Sequence, residues 1–195
     1  MEAWGKRVRA TDRLFFAVTP QPMLSARAVA IGTELRDAYR LRGRVLRPEH
    51  LHVTLWHVGD GCGPPSAEFI EAVTRQAETV DALSFRVSLD HVMSFRNGAV
   101  VLCGTDGVVG LEMLHEELKR RLFGEEMRRA SYKPHMTLLR DSRHIHLAAV
   151  EPPVEWDVSE FVLVHSLLGK TIHRHVARFP LKQGRFSPPP SGRGT

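Results

Sequence analysis

The sequence predicts an α+β fold in which two related lobes share one cleft. The tetrapeptide His-x-Thr-Leu occurs twice, at residues 52–55 and 135–138, and each copy lies in an apolar stretch typical of a β-strand. An amphipathic helix is predicted upstream of each copy. Side chains two residues apart point to the same face of a strand, so each copy presents an imidazole beside a hydroxyl. We therefore expect each lobe to contribute half of a single site.

The predicted elements follow the order β-α-β-α-β-β-α-β-β-β. The apolar run Leu14–Val18 predicts a buried strand, which Pro20 and Pro22 end. Ser66, after two prolines, is the expected cap of a helix, and Arg96-Asn97-Gly98 is the expected turn of a hairpin. The predicted strands are 14–18, 51–58, 85–95, 99–103, one beginning at 135, 158–168 and 172–181; the predicted helices are 23–41, one beginning at 66, and 109–123.

Length and composition predict one globular domain. The chain has 195 residues, of which 43% are hydrophobic and 25% charged. We expect a single bilobal domain over residues 13–183, a flexible N-terminus at 1–12 and a disordered tail at 184–195, which is rich in Ser, Pro and Gly. The net charge of +5 favours an anionic partner, although ordinary solubilising charge would also explain it.

The lack of a predicted membrane or signal segment and the cysteine usage favour a cytoplasmic protein. No apolar run approaches the length of a membrane span, and the first residues lack the apolar core of a signal peptide, so no membrane association is expected. Cys62 and Cys103 have no metal-ligand spacing. We expect reduced thiols, no disulfide framework and a cytoplasmic monomer.

Longer stretches around the tetrapeptides resemble a known family. Residues 13–18 resemble the first strand of the 2H phosphoesterase superfamily, residues 48–55 its first motif, and residues 133–140 its second motif, including the proline before His135. Together they resemble the bacterial RNA 2′,3′-cyclic phosphodiesterase branch, historically called 2′–5′ RNA ligase. The sequence departs from the family at His57, where an aromatic or large apolar residue is usual.

The resemblance implies a bilobal, pseudo-symmetric fold with two antiparallel sheets, flanked by helices, around a central cleft. It implies that His52 and His135 are catalytic and that Thr54 and Thr137 bind phosphate. The implied reaction opens the 2′,3′-cyclic phosphate at an RNA end to a 2′-phosphate without metal or cofactor. The implied partner is RNA with such ends, including tRNA-like halves that the reverse reaction would join through a 2′–5′ bond.

The residue types suit that chemistry. Opening a cyclic phosphate needs a base for the attacking water and an acid for the departing oxygen, and imidazoles titrate near neutrality. Threonine hydroxyls can donate hydrogen bonds to the non-bridging oxygens. By analogy with the family's product we assign the acid role to His52 and the base role to His135, and the opposite assignment stays open.

Other residues near the motifs are weighed as ligands. By strict alternation Arg140 faces away from His135, so it contacts phosphate only if the strand ends or twists there, and otherwise forms a structural ion pair. Lys133 shares the face of His135 and either adds positive charge or is solvated. Trp56 shares the face of His52 and either stacks on a base or packs in the core. Phe95 and Ser166 are further candidates for base binding, with ordinary packing as the alternative.

Histidine pairs elsewhere are weak metal candidates. His144 with His146, and His173 with His175, each place two imidazoles on one strand face, but neither pair has a recognisable third ligand. We predict no metal site. His50 is expected at the strand entrance, facing solvent.

Two other functions compete with the leading one. The same fold could cleave small cyclic nucleotides or 2′–5′ oligoadenylates. A domain that binds nucleotides or RNA ends without turnover is the third possibility, which two intact His-Thr pairs disfavour.

Overall fold

The structure, a computed structural model, describes residues 9–124 and 132–183. The predicted tail 184–195 and most of the predicted N-terminal segment therefore lie outside the described residues. Within that segment, Asp12 is buried and begins the first strand, so it belongs to the sheet.

The described residues form eight strands and three α-helices, and the predicted elements are confirmed with small shifts of their ends. The strands are β1 Asp12–Val18, β2 Val53–Gly61, β3 Phe85–Ser94, β4 Ala99–Cys103, β5 His135–Arg140, β6 Ala148–Val158, β7 Glu160–Leu167 and β8 Ile172–Pro180. The helices are α1 Pro22–Ala38, α2 Ala67–Ala77 and α3 Val109–Phe123. A short 3-10 turn at Pro48–His50 leads into β2. The predicted cap is confirmed, because the Ser66 hydroxyl accepts a hydrogen bond from the Phe69 N–H at 3.2 Å.

Strand β6 is absent from the sequence prediction. Its segment contains Pro152 and Pro153, which usually mark a break in a strand. The structure places β6 at the edge of the sheet, where a residue without an N–H is tolerated because one side of the strand has no neighbour.

The strands form one sheet in the order β6-β3-β4-β5-β2-β1-β7-β8. The implied two sheets are therefore two four-stranded halves of a single described sheet. All pairings between its strands are antiparallel, and the halves meet where β2 pairs with β5 at Val53 and Met136. Each half contributes one His-x-Thr-Leu strand to this junction.

The core lies between the sheet and the three helices. Leu111, Leu114 and Leu118, spaced along one face of α3, pack against alternate residues of the strands, including Phe16 and Leu55. Val53 and Met136 are fully buried on this same face. Because strand side chains alternate, His52 and Thr54 of the first motif, and His135 and Thr137 of the second, face the opposite side of the sheet.

Both motif strands contain a β-bulge at the leucine of the tetrapeptide. Along β1, Ala17 pairs with Thr54 but Phe16 pairs with Trp56, so Leu55 is the extra residue. Along β4, Val101 pairs with Thr137 but Val100 pairs with Leu139, so Leu138 is the extra residue. Each extra residue reverses the alternation of the side chains on its C-terminal side.

A close approach of backbones holds the end of β5. The amides of Arg42 and Gly43 donate to the Asp141 carboxylate at 2.5 and 2.7 Å. A Cβ atom on Gly43 would overlap the carbonyl oxygen of Arg140, whereas one on Gly59 would meet nothing within 4 Å.

We therefore expect Gly43→Ala to lower the free energy of unfolding by about 1–3 kcal/mol, because backbone has to move to admit the methyl group. Gly59→Ala, the matched control, should be neutral or stabilising by up to about 1 kcal/mol. Urea denaturation of both variants measures this difference. Equal stability of the two variants would contradict the close approach at Arg140.

Candidate active site

Equivalent hydrogen bonds orient the two motif histidines. The ring of His52 bonds through Nδ1 to the carbonyl of His50, and the ring of His135 through Nδ1 to the carbonyl of Lys133, both at 2.7 Å. A carbonyl oxygen only accepts, so Nδ1 of each ring carries the hydrogen. In each neutral ring Nε2 is then the nitrogen that can take up a proton.

The junction between the halves sets the motifs against each other. Val53 and Met136 are antiparallel partners. Continuing that register by one residue in each direction places His52 across from Thr137 and Thr54 across from His135. The four side chains therefore form two imidazole–hydroxyl pairs related by a local two-fold axis.

Each histidine also packs against a phenylalanine. The ring of Phe15 lies 4.9 Å from that of His52, and the ring of Phe95 lies 4.7 Å from that of His135. Phe95, predicted as a base-binding residue, thus lies at the site. Phe15 was not predicted from the sequence, and it occupies the equivalent place in the other half.

Burial favours the neutral form of both histidines. Burial, with the positive charge of His135, His50 and His175 when protonated, lowers the pKa of His52 to about 4, despite the favourable bond to the His50 carbonyl. Burial also lowers the pKa of His135, with further contributions from Arg140 and Lys133. A bound anion would act in the opposite direction, since negative charge nearby favours the protonated ring.

A third and a fourth histidine lie against His52. The ring of His173, on edge strand β8, lies 5.4 Å from the ring of His52 and 4.7 Å from that of His50. The expectation that His50 faces solvent is wrong, because its side chain is buried. Burial, followed by the repulsion of His52, His50 and His175, lowers the pKa of His173 to about 4.

Arg140 lies on the same face as His135 and Thr137. The prediction from strict alternation placed it on the far side, but the bulge at Leu138 returns it, and it pairs with Ala99 in register. Arg140 is exposed, and its positive charge acts on His135.

Lys133 and Ser166 lie beside the histidines. The Lys133 ammonium is 5.7 Å from the ring centre of Phe95, the ring that contacts His135. Ser166 is buried on β7 and is the register partner of His173 on β8. The roles expected of them, phosphate binding for Lys133 and base binding for Ser166, stay predictions.

The bulge at Leu55 has the reverse effect on Trp56. The prediction that Trp56 shares the face of His52 is wrong, because the bulge turns it to the helix-covered side. There its ring lies 5.3 Å from that of His115 and 5.2 Å from that of Phe123, both on α3. This placement removes the basis for stacking on a base in the cleft.

His57 takes the place on the cleft face that alternation had given to Trp56. It pairs with Phe15 in register, and its Nε2 lies 2.8 Å from a carboxylate oxygen of Asp60. Asp60 also accepts two hydrogen bonds of 2.7 Å from Arg13. Arg13 and His57 hold the pKa of the Asp60 carboxyl well below its usual range.

Metal ligation is not indicated in the described part of the chain. No group of three or more His, Cys, Asp or Glu side chains among residues 9–124 and 132–183 could hold a metal ion. The pairs His144/His146 and His173/His175 therefore belong to no such group. None of the helices in the same ranges is long and apolar enough to cross a membrane.

Two imidazoles, each set beside a threonine hydroxyl on the open face of one sheet, define a site of the 2H phosphoesterase type. Comparison with known families agrees with this class, because the model of the 2′-5′ RNA ligase superfamily matches residues 20–170. The chain belongs to that superfamily. No curated protein matches it.

Solved structures of the same fold include LigT of E. coli. The apo form is 25% identical, with a TM-score of 0.74 over 88% of this chain and 98% of that chain. The form of LigT complexed with 3′-AMP is also 25% identical, with a TM-score of 0.71 over 88% of this chain and 99% of that one. TT0787 of Thermus thermophilus, 24% identical with a TM-score of 0.69 over 88% and 98% of the two chains, shares the fold.

The lowered histidine pKa values predict acid sensitivity. As the pH falls below about 6.5 the unfolded chain takes up protons, whereas folded His52 and His173 do so only near pH 4. The free energy of unfolding should therefore fall across this window, by about 3 kcal/mol for the shift at His52 alone.

Urea denaturation at pH 7.5 and pH 4.5 tests this effect, with His173→Asn as the variant and exposed His146→Asn as its control. His173→Asn should lose less stability between the two pH values than the wild type, and His146→Asn should lose as much. Equal losses in all three proteins would contradict the pKa of His173.

Proposed function

We propose that this protein hydrolyses RNA 2′,3′-cyclic phosphate ends to 2′-phosphates without a metal ion. The observation that carries the proposal is the placement of two imidazole–hydroxyl pairs across the junction of Val53 and Met136. Two groups that can each gain or lose a proton, on opposite sides of one space, suit in-line displacement at phosphorus. Family membership and the likeness to LigT support phosphoester chemistry.

The histidines move the protons in this proposal. His135 accepts a proton from water as its oxygen attacks phosphorus, and the bond from phosphorus to the 3′-oxygen breaks. His52 gives its proton to that departing oxygen. Because burial lowers the pKa of His52, its protonated form depends on the negative charge of the bound phosphate, which raises that pKa. The His52 ring therefore stays neutral in the free protein until an anion enters.

The hydroxyls and cations bind the phosphate. Thr54 and Thr137 donate to the non-bridging oxygens, where negative charge develops in the transition state. Arg140 and Lys133, both exposed on the cleft side, attract the RNA backbone and offer charged donors. Phe15 and Phe95 offer rings beside the two histidines on which an RNA base can stack.

Ligation would use the same groups. The 5′-hydroxyl of a second strand takes the place of water: it attacks phosphorus and gives its proton to His135, the bond from phosphorus to the 3′-oxygen breaks, and His52 protonates that oxygen, which leaves a 2′–5′ bond. The cyclic phosphate stores the bond energy, and no nucleotide cofactor is needed. We propose this 2′–5′ ligation as a secondary activity.

Assay of the purified protein with EDTA and an RNA bearing a 2′,3′-cyclic phosphate tests the main proposal. We expect a 2′-phosphate product. His52→Ala and His135→Ala should each lower kcat by about 10²–10⁴-fold, because each removes an acid or a base. His144→Ala, an exposed histidine on the loop after β5, should leave kcat unchanged.

Two results would contradict the proposal. A 3′-phosphate product would reverse the regiochemistry, and full activity of either motif variant would exclude its histidine. The pH dependence of kcat/KM should be bell-shaped with its optimum below pH 6.5, since the pKa of both histidines is lowered in the free protein.

A further inference from the structure

At the bulge of Leu55, side chains donate hydrogen bonds to two successive backbone carbonyls. The hydroxyl of Tyr132 donates to the carbonyl of Thr54 at 3.0 Å. Nδ1 of His115 donates to the carbonyl of Leu55 at 2.7 Å. Hydrogen bonds to backbone carbonyls stabilise the conformation that presents them, so these two side chains stabilise the bulge.

The corresponding bulge in β5 is held differently. There the carbonyl of Leu138 accepts from the backbone N–H of Leu46 at 2.8 Å. Any residue except proline supplies such a donor, so the second motif places no demand on side-chain identity at this point. The first motif depends on one hydroxyl and one imidazole.

His115 and Tyr132 form a single unit behind the first motif. Their rings stack in parallel, with centroids 3.9 Å apart and planes inclined by 6°. His115 is buried on α3, and its ring also contacts Trp56, the first residue turned over by the bulge. Tyr132 lies three residues before His135. The stack therefore joins α3, the bulge of β2 and the approach to β5.

We propose that His115 and Tyr132 are positioning residues that hold the Thr54 hydroxyl at the phosphate. Tyr132 fixes the backbone of Thr54 itself, and His115 fixes the residue at which the strand changes its alternation. Neither side chain faces the cleft, since both lie with Trp56 on the helix-covered side. This inference rests on the proposed function, because it assigns Thr54 to phosphate binding.

Tyr132→Phe is the sharpest test, because it removes one oxygen and keeps the ring that stacks on His115. We expect kcat/KM for the cyclic RNA end to fall about tenfold, which is about 1.4 kcal/mol. We expect affinity for inorganic phosphate, measured by calorimetry, to fall in the same variant. Tyr39→Phe, at a tyrosine that is 45% exposed, is the matched control and should change neither quantity.

His115 is tested by a pair of variants. His115→Leu removes the donor and should lower kcat/KM and phosphate affinity as Tyr132→Phe does. His115→Asn keeps an amide donor close to the place of Nδ1 and should restore most of both. A purely structural role would lower the melting temperature in these variants and leave kcat/KM and phosphate affinity at low temperature unchanged.

A double-mutant cycle with Thr54→Val decides whether the effect passes through Thr54. If it does, Tyr132→Phe should have no further effect on kcat/KM or phosphate affinity in the Thr54→Val background. Effects that add in full would overturn the proposal, as would wild-type values in Tyr132→Phe.

Failure of the proposed function is distinguishable from failure of this inference. If the wild type binds inorganic phosphate but does not cleave the RNA end, the proposed substrate is wrong, and the phosphate affinities of the same variants still decide the role of Tyr132. If the wild type binds no phosphate and cleaves no RNA, both are overturned.

Discussion

The pairing of Val53 with Met136 is the contact on which the whole site depends. This pairing joins the two four-stranded halves of the sheet. It also fixes the register of the two motif strands relative to each other. A slip of one residue would turn every motif side chain to the other face of its strand. Val53 and Met136 are buried against the helices, and this burial opposes such a slip. The slipped register would place two histidines in the apolar core instead. The core therefore determines the geometry of the polar face.

Desolvation is the second constraint, and it links the site to its ligand. His52 is surrounded by Phe15, His50 and His173, so a proton on its ring is unfavourable in the free protein. The same surroundings strengthen the attraction between a protonated ring and an anion that enters the site. In the proposed function the His52 ring is neutral in the free protein and becomes protonated when phosphate binds. In the same proposal the exposed side chains of Arg140 and Lys133 attract the anion over longer distances.

The alternation of side chains along a strand correctly predicts that each motif histidine shares a face with its threonine. The same alternation gives the wrong face for the residues that follow the leucine of each motif. The bulges at Leu55 and Leu138 exchange the faces of the next residues in each strand, which brings Arg140 and His57 to the cleft and removes Trp56 from it. A bulge depends on partner strands, so the tetrapeptide alone does not reveal it. The contact of His173 with His52 joins segments that are not neighbours in the sheet, and β6 contains prolines that are tolerated only at an edge, so the local sequence predicts neither. Local pattern thus predicted the elements and the paired motifs, whereas the surroundings of the site depend on long-range pairing.

We propose that the two motifs form one phosphate site. Titration of the protein with inorganic phosphate, followed by NMR through the ring resonances of His52 and His135, tests it most directly. For a shared site, we expect the resonances of both rings to shift with a single dissociation constant and the pKa of both rings to rise in the phosphate-bound protein. Movement of one ring alone, or two different dissociation constants, would contradict a shared site.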